Sequence, residues 1–143
     1  MEIAERGATV HGSAEMFVGA VYLDVVAHGE VPSRVRVNRV QFAPGARTAW
    51  HCHGLGQTLF VLEGIGLVGT RQGQTIEIHP GDRVVTPPQE WHFHGATPNN
   101  LMTHLSITEA VIEGDLPESS WAEHLDEADY LARADSALSL RSA

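Results

Sequence analysis

Between Arg34 and Phe42 the chain alternates, with Val35 and Val37 on one face of an extended segment and Asn38, Val40 and Phe42 on the other. This period of two marks a strand that buries one side. Val21 to Val26 reads as a shorter strand ahead of it, ended by a turn over residues 29–33 that contains Pro32. After the Ala43-Pro44-Gly45 turn, short segments rich in apolar residues recur at roughly 47–53, 57–63, 65–71, 74–78, 82–87, 90–94 and 101–108. Between them stand Gly54/Gly56, Gly64/Gly66, Gly73, Pro80-Gly81, Pro87-Pro88 and Pro98-Asn99-Asn100. Proline presets φ and glycine tolerates positive φ, so these separators are turns. Many short strands with no intervening helix predict an all-β fold, a sandwich or barrel. A jelly-roll barrel is the closure that also leaves an interior pocket.

The two ends differ in character. Residues 1–33 are expected to form an N-terminal arm, anchored by Met16 and Phe17, and the first strand; residues 34–110 form the barrel core. Residues 111–143 read as a C-terminal helical segment and tail, within one domain overall. There Asp115-Leu116-Pro117 is a linker, and Ser120-Trp121-Ala122-Glu123 has the spacing of a capping box. Leu125, Ala128 and Leu131 recur at helical spacing, so one or two short helices should follow. Trp121 and Tyr130 would cover a hydrophobic barrel end, and residues 135–143 would fray.

The chemistry concentrates in histidines. His51-Cys52-His53 is followed by Gln57, then come Trp91-His92-Phe93-His94 and Met102-Thr103-His104-Leu105. Strand parity puts His51 and His53 on one face, and His92 and His94 likewise. If Gln57 opens the strand after Gly54-Leu55-Gly56, its amide oxygen faces the same interior. The bland alternative is the polar face of an edge strand, but the Trp, Phe, Leu and Val neighbours argue for a buried sheet. Imidazoles with one carbonyl oxygen suit a divalent manganese, iron, nickel, cobalt or zinc ion. Cys52 is the sole cysteine and sits between the two histidines on the opposite face, which sets aside a zinc-finger site. His94 lies two residues beyond His92, about 6–7 Å along a strand, far for the same ion but suited to a bound substrate. By parity Asn38, Val40 and Thr108 line the substrate pocket. Arg47 reads as one half of a structural ion pair, His79 as a surface histidine and Glu63 as outward-facing.

The spacing of Gly45, His51-x-His53, Gln57 and Gly64 resembles the first motif of the cupins, with Gln where most members carry Glu. Gly81, Pro87 and His92 resemble the second motif, although Gln89 replaces a usual glycine and Ala96 a usual asparagine. The resemblance spans roughly residues 35–110. Residues 44–51, 55–59, 78–82 and 102–105 are similar to a subgroup of small single-domain bacterial cupins that includes the manganese-dependent hydroxynitrile lyases. That resemblance implies a double-stranded β-helix and a metal held by His51, His53, Gln57 and His92. It also implies manganese as the first choice of ion, catalytic roles for His94 and His104, and an N-terminal arm that crosses to a neighbouring subunit or covers a barrel edge.

Composition narrows the field. The chain of 143 residues carries a formal charge of −9 and no lysine, which argues against nucleic acid and anionic membrane surfaces. Without lysine, Schiff-base and pyridoxal phosphate chemistry on the chain is excluded. One cysteine allows no internal disulfide, no apolar run approaches the ~20 residues of a membrane span, and residues 1–6 lack a signal-peptide core. A cytoplasmic location is the expectation. On the 101–107 strand Leu101, Leu105 and Ile107 oppose His104 and need cover, so a homodimer or homotetramer is expected.

Three functions remain open at this level: a metal-dependent lyase such as one that cleaves or forms hydroxynitriles; a cupin dioxygenase or isomerase; and a binding module without turnover. A ligand set of three imidazoles and neutral Gln57 leaves the ion's charge undiminished. That favours alkoxide or cyanide and Lewis-acid chemistry on a small-molecule substrate. Two further histidines in one pocket are more than binding alone requires.

Overall fold

A computed structural model describes residues 1–114 and 116–139 of the chain. In chain order the strands are β1 (Val10–His11), β2 (Phe17–Val18), β3 (Val21–His28), β4 (Val35–Phe42), β5 (Arg47–Thr48), β6 (His51–His53) and β7 (Gln57–Gly64). They continue as β8 (Gly66–Thr70), β9 (Thr75–Ile78), β10 (Arg83–Thr86), β11 (His92–Ala96), β12 (Met102–Glu109) and β13 (Ser119–Trp121), and end in helix α1 (Glu127–Asp135). One sheet runs β1-β3-β4-β12-β7-β10. The other runs β13-β6-β11-β5-β2, with β8 pairing β11 and β9 pairing β8. The two curl around an apolar core that includes Val21, Val40, Phe42, Val61, Val68 and Met102. The expected jelly-roll barrel is present.

The central strand β12 sets the interior. It pairs antiparallel with β4 without interruption from Met102↔Phe42 to Glu109↔Val35. Directly opposed residues share a face, so Phe42, Val40 and Asn38 point inward beside Met102, His104 and Ser106. Against β7 the register slips between Thr103 and His104, pairing them with Glu63 and Val61 and leaving Leu62 as the extra residue. Unbroken alternation from Gln57 would carry Glu63 to the inner face. The bulge turns it outward, where its carboxylate accepts from Thr103.

Several expectations need correction. The 47–53 segment is two strands, because Ala49 and Trp50 leave the ladder: their N–H groups donate to Met16 and Glu123 carbonyls. Trp50 then packs outside the sheet with Leu67, Phe93, Leu125 and Tyr130. Residues 120–123 do not cap a helix. Ser119–Trp121 instead pairs with His51–His53, because an unpaired β6 edge offers a row of backbone partners that a local capping signal does not match. The C-terminal segment contains one helix, within the one or two expected, capped by the Asp126 side chain, which accepts from the N–H of Asp129. Its buried residue is Tyr130, whereas Ala128 and Leu131 are exposed.

Helix α1 is fastened to the barrel by polar contacts. Tyr130 Oη donates to the Ala96 carbonyl at 2.6 Å, and the Arg47 guanidinium lies 4.3 Å from the Tyr130 ring centre. Arg47 also meets Glu127 at 3.1 Å and donates to the Leu125 carbonyl, so it forms the structural ion pair its position suggested. Past the helix, Leu138 exchanges backbone hydrogen bonds with β9, so the expected fraying does not begin at residue 135. Asp115 of the linker and residues 140–143 of the tail lie outside the described residues. In the N-terminal arm Phe17 is buried and anchors the chain, but Met16 is exposed. No helix among the described residues is long and apolar enough to cross a membrane.

Candidate metal centre

Short strands of one sheet bring the first three histidines together. His51 and His53 project from β6, and His92 sits opposite His51 in the β11 register. Their ligand nitrogens all lie within 4.8 Å of one another, a spacing that can hold a metal ion. The facing sheet contributes Gln57 from the start of β7. Its Oε1 lies 3.0 Å from His92 Nε2, and its Nε2 donates to Ser106 Oγ at 2.8 Å.

Backbone contacts orient the rings. His51 Nδ1 donates to the Ala49 carbonyl at 3.0 Å, and His92 Nδ1 donates to the Glu90 carbonyl at 2.8 Å. Each contact fixes the tautomer that leaves Nε2 as a lone pair, as metal-binding histidines require. His92 Nε2 and Gln57 Oε1 then face each other as two acceptors, an arrangement that a cation between them relieves. His53 Nε2 is buried with no hydrogen-bond partner among the described residues. Burial lowers the pKa of all three: His51 well below the ordinary 6.5, His53 to about 4, and His92 to a lesser extent. Neighbouring imidazoles add to burial at His51 and His53. Neutral imidazole is the ligating form. A divalent ion fits these residues.

The remaining two histidines form an adjoining pair. His104 Nε2 lies 3.0 Å from His94 Nδ1, and both rings are buried and packed against Phe42. The His94 ring centre is 5.0 Å from that of His51 and 5.8 Å from that of His92. Its backbone N–H donates to Thr48 Oγ1. Burial and the surrounding histidines hold His94 well below 6.5, and burial pushes His104 down to about 4. Among the described residues His94 Nε2 has no hydrogen-bond partner.

The residues read as substrate wall fall on the same inner surface. Val40 is buried opposite His104, and Asn38 stands opposite Ser106. Thr108 lies at the barrel edge, where it lines a 330 Å³ cavity with Gln57, Thr86 and Pro87. A second cavity of 160 Å³ opens against His92 between Val68, Ile76 and Val84. Cys52 is buried opposite Ser120, away from the histidines.

Two neighbours of the site were not picked out from the sequence, Trp121 and Thr48. Ser106, two residues beyond His104 on the same strand, shares its face by parity, but its bond to Gln57 was not foreseen. Trp121 stacks on His51 with ring centres 4.4 Å apart and planes 11° from parallel. No local pattern links two residues that far apart along the chain.

With this geometry in place, the comparisons with known proteins agree. Residues 38–107 match the cupin domain family. The chain belongs to the cupins. It is 44% identical over 132 residues to an (R)-mandelonitrile lyase from Granulicella tundricola, covering 91% of this chain and 98% of that one. A cupin-like protein from Thermotoga maritima superimposes with a TM-score of 0.81 at 33% identity, covering 95% of this chain and 99% of that structure. A polyketide cyclase from Streptomyces resistomycificus shares the fold at 21% identity, with a TM-score of 0.64 and coverage of 91% and 90%.

Proposed function

We propose that the chain is a metal-dependent lyase that cleaves a cyanohydrin to an aldehyde and hydrogen cyanide, and runs the same reaction in reverse. The observation that carries this reading is the buried His94–His104 pair set beside three histidines able to hold an ion. The relative named (R)-mandelonitrile lyase supports the same class of reaction. His51, His53, Gln57 and His92 are the proposed ligands, manganese the first candidate ion, and iron, nickel, cobalt or zinc the alternatives. Bound there, the ion supplies Lewis acidity for the developing carbonyl oxygen.

The chain's own residues handle the proton. One proton is shared between His94 Nδ1 and His104 Nε2, which are 3.0 Å apart. When His94 donates it, His94 Nε2 carries a bare lone pair with no partner among the described residues. That nitrogen accepts the substrate hydroxyl proton as the carbon–cyanide bond breaks and its electron pair leaves with cyanide. The proton then passes to cyanide, so hydrogen cyanide and aldehyde leave together. Depressed pKa values keep both rings neutral at neutral pH, so the lone pair of His94 is not already protonated. Asn38, Val40 and Thr108 shape the aldehyde side, and the polar Asn38 favours a substrate with a hydrogen-bonding group there.

The test is turnover of mandelonitrile by chelator-stripped protein and by protein reloaded with manganese, under air and under argon. Equal activity in both gases, dependent on reloading, is expected. Oxygen consumption with a diketone or flavonol and no cyanide release would overturn the lyase reading in favour of a dioxygenase. Ligand binding without any turnover would overturn it in favour of a binding module.

A further inference from the structure

We infer that Trp121 is a positioning residue for the metal centre, acting through His51. It holds the imidazole plane and offers the ligated His51 ring a π face. The inference requires that His51 ligates an ion, but not that the protein cleaves cyanohydrins.

Strand β13 adds to the β6 edge with Trp121 directly opposite His51 and Ser119 opposite His53, so both C-terminal residues share the inner face with the histidines. The indole lies flat on the imidazole at 4.4 Å and 11°. It is itself held in place: Nε1 donates to Ser119 Oγ at 3.2 Å, and Phe17 meets its ring edge-on at 6.0 Å. The hydrogen bond from His51 Nδ1 to Ala49 fixes one point of the imidazole but leaves its tilt free. The stack removes that freedom and directs the Nε2 lone pair toward His53 and His92. Groups that orient a metal-binding histidine typically contribute 10- to 100-fold in metal affinity.

Charge gives a second reason. Three imidazoles and a carboxamide neutralise none of an ion's double charge. Ligation draws electron density out of the His51 ring and makes its face more positive. An aromatic face stacked on a cationic group is attractive, and tryptophan provides the strongest such face. The indole thus favours the ion-loaded site over the empty one.

The tryptophan is also a reporter. The chain has three tryptophans, and Trp50 and Trp91 pack with Phe93 and Leu67 on the other side of the sheet. Manganese(II) and cobalt(II) are titrated into chelator-stripped wild type and into the Trp121→Phe, Trp121→Leu and Trp121→Ala variants. Affinity is read by competition with a chelating dye, and tryptophan emission is read with cobalt. The expected result is a Kd raised about 10- to 100-fold by Trp121→Ala and Trp121→Leu and largely restored by Trp121→Phe. Cobalt should quench wild type most, with most of that quenching lost in Trp121→Phe. Leucine fills space without a π face, so a Trp121→Leu protein that binds metal like wild type would overturn the inference. So would unchanged quenching in Trp121→Phe. If Trp121→Ala does not fold, the leucine and phenylalanine variants decide the question alone. Loss of mandelonitrile turnover with these affinity differences intact would strike the lyase reading and leave this one standing.

Discussion

His104 Nε2 sits 3.0 Å from His94 Nδ1 in the barrel interior, and among the described residues neither ring makes a second side-chain hydrogen bond at its other nitrogen. A buried pair sharing one proton, with a free nitrogen beside the metal-binding group, is suited to moving a proton to and from substrate. Replacing His94 with Ala is expected to lower the rate by about 10²–10⁴ while leaving metal content unchanged. Elemental analysis beside the kinetics checks both halves. Full activity in the variant would remove His94 from the mechanism.

The facing acceptors of His92 and Gln57 make a different prediction. Without an ion their lone pairs oppose each other at 3.0 Å. The His92→Ala variant should therefore purify with far less than one metal ion per chain, and reloading should not restore it. Stoichiometric metal in His92→Ala would mean that the ion sits elsewhere.

Acid stability follows from the depressed histidines. An unfolded histidine binds its proton near pH 6.5, but folded His53 and His104 do so only near about 4. Between these values the unfolded state binds more protons, so stability rises with pH. Chelator-stripped protein is thus expected to lose thermal stability as pH falls from 6.5 to 4. Metal should shift that loss to lower pH, because only neutral imidazole ligates. A melting temperature flat across this window would contradict the burial of neutral histidines.

Gly56 adopts φ of +82°, and a Cβ there would come within 2.7 Å of the Thr86 carbonyl oxygen. An alanine meets both the left-handed penalty of about 1–2 kcal/mol and a backbone collision beside Gln57. Gly56→Ala should lower the urea midpoint and weaken metal binding together. A variant as stable as wild type would show that the turn can relax.

Assembly can be tested on the outer face of the six-stranded sheet. Ile107 opposes Val37, and Leu105 opposes Phe60, with Leu62 and Val85 exposed nearby. This row, with Arg39 opposite Leu105 and Arg83 opposite Phe60 among its apolar residues, is the proposed contact face between subunits. A homodimer or homotetramer is expected, so light scattering should return two or four times the 15.5 kDa chain mass, and Phe60→Glu should drive the protein toward monomer. A wild-type monomer at working concentration would reject it.

Much of the fold was legible in the chain because strand alternation is local. The period of two in Val35–Phe42 marks the inward faces of Asn38, Val40 and Phe42 without reference to any other strand. The same parity groups His51 with His53 and His92 with His94, and the glycine turn after His53 returns the chain at Gln57. What the alternation does not contain is which edges meet. Residues 120–123 carry a helix-start signal, yet Ser119–Trp121 forms a strand because the open β6 edge offers backbone partners found only after the barrel has closed. The same pairing sets Trp121 against His51. The break at Ala49 and Trp50, the bulge that turns Glu63 outward and the choice of Tyr130 over Leu131 as the buried helix residue are likewise settled by contacts between distant segments. Local pattern determines which way a side chain faces, and tertiary packing decides what it faces, because backbone edges and ring faces find their partners only in the closed barrel.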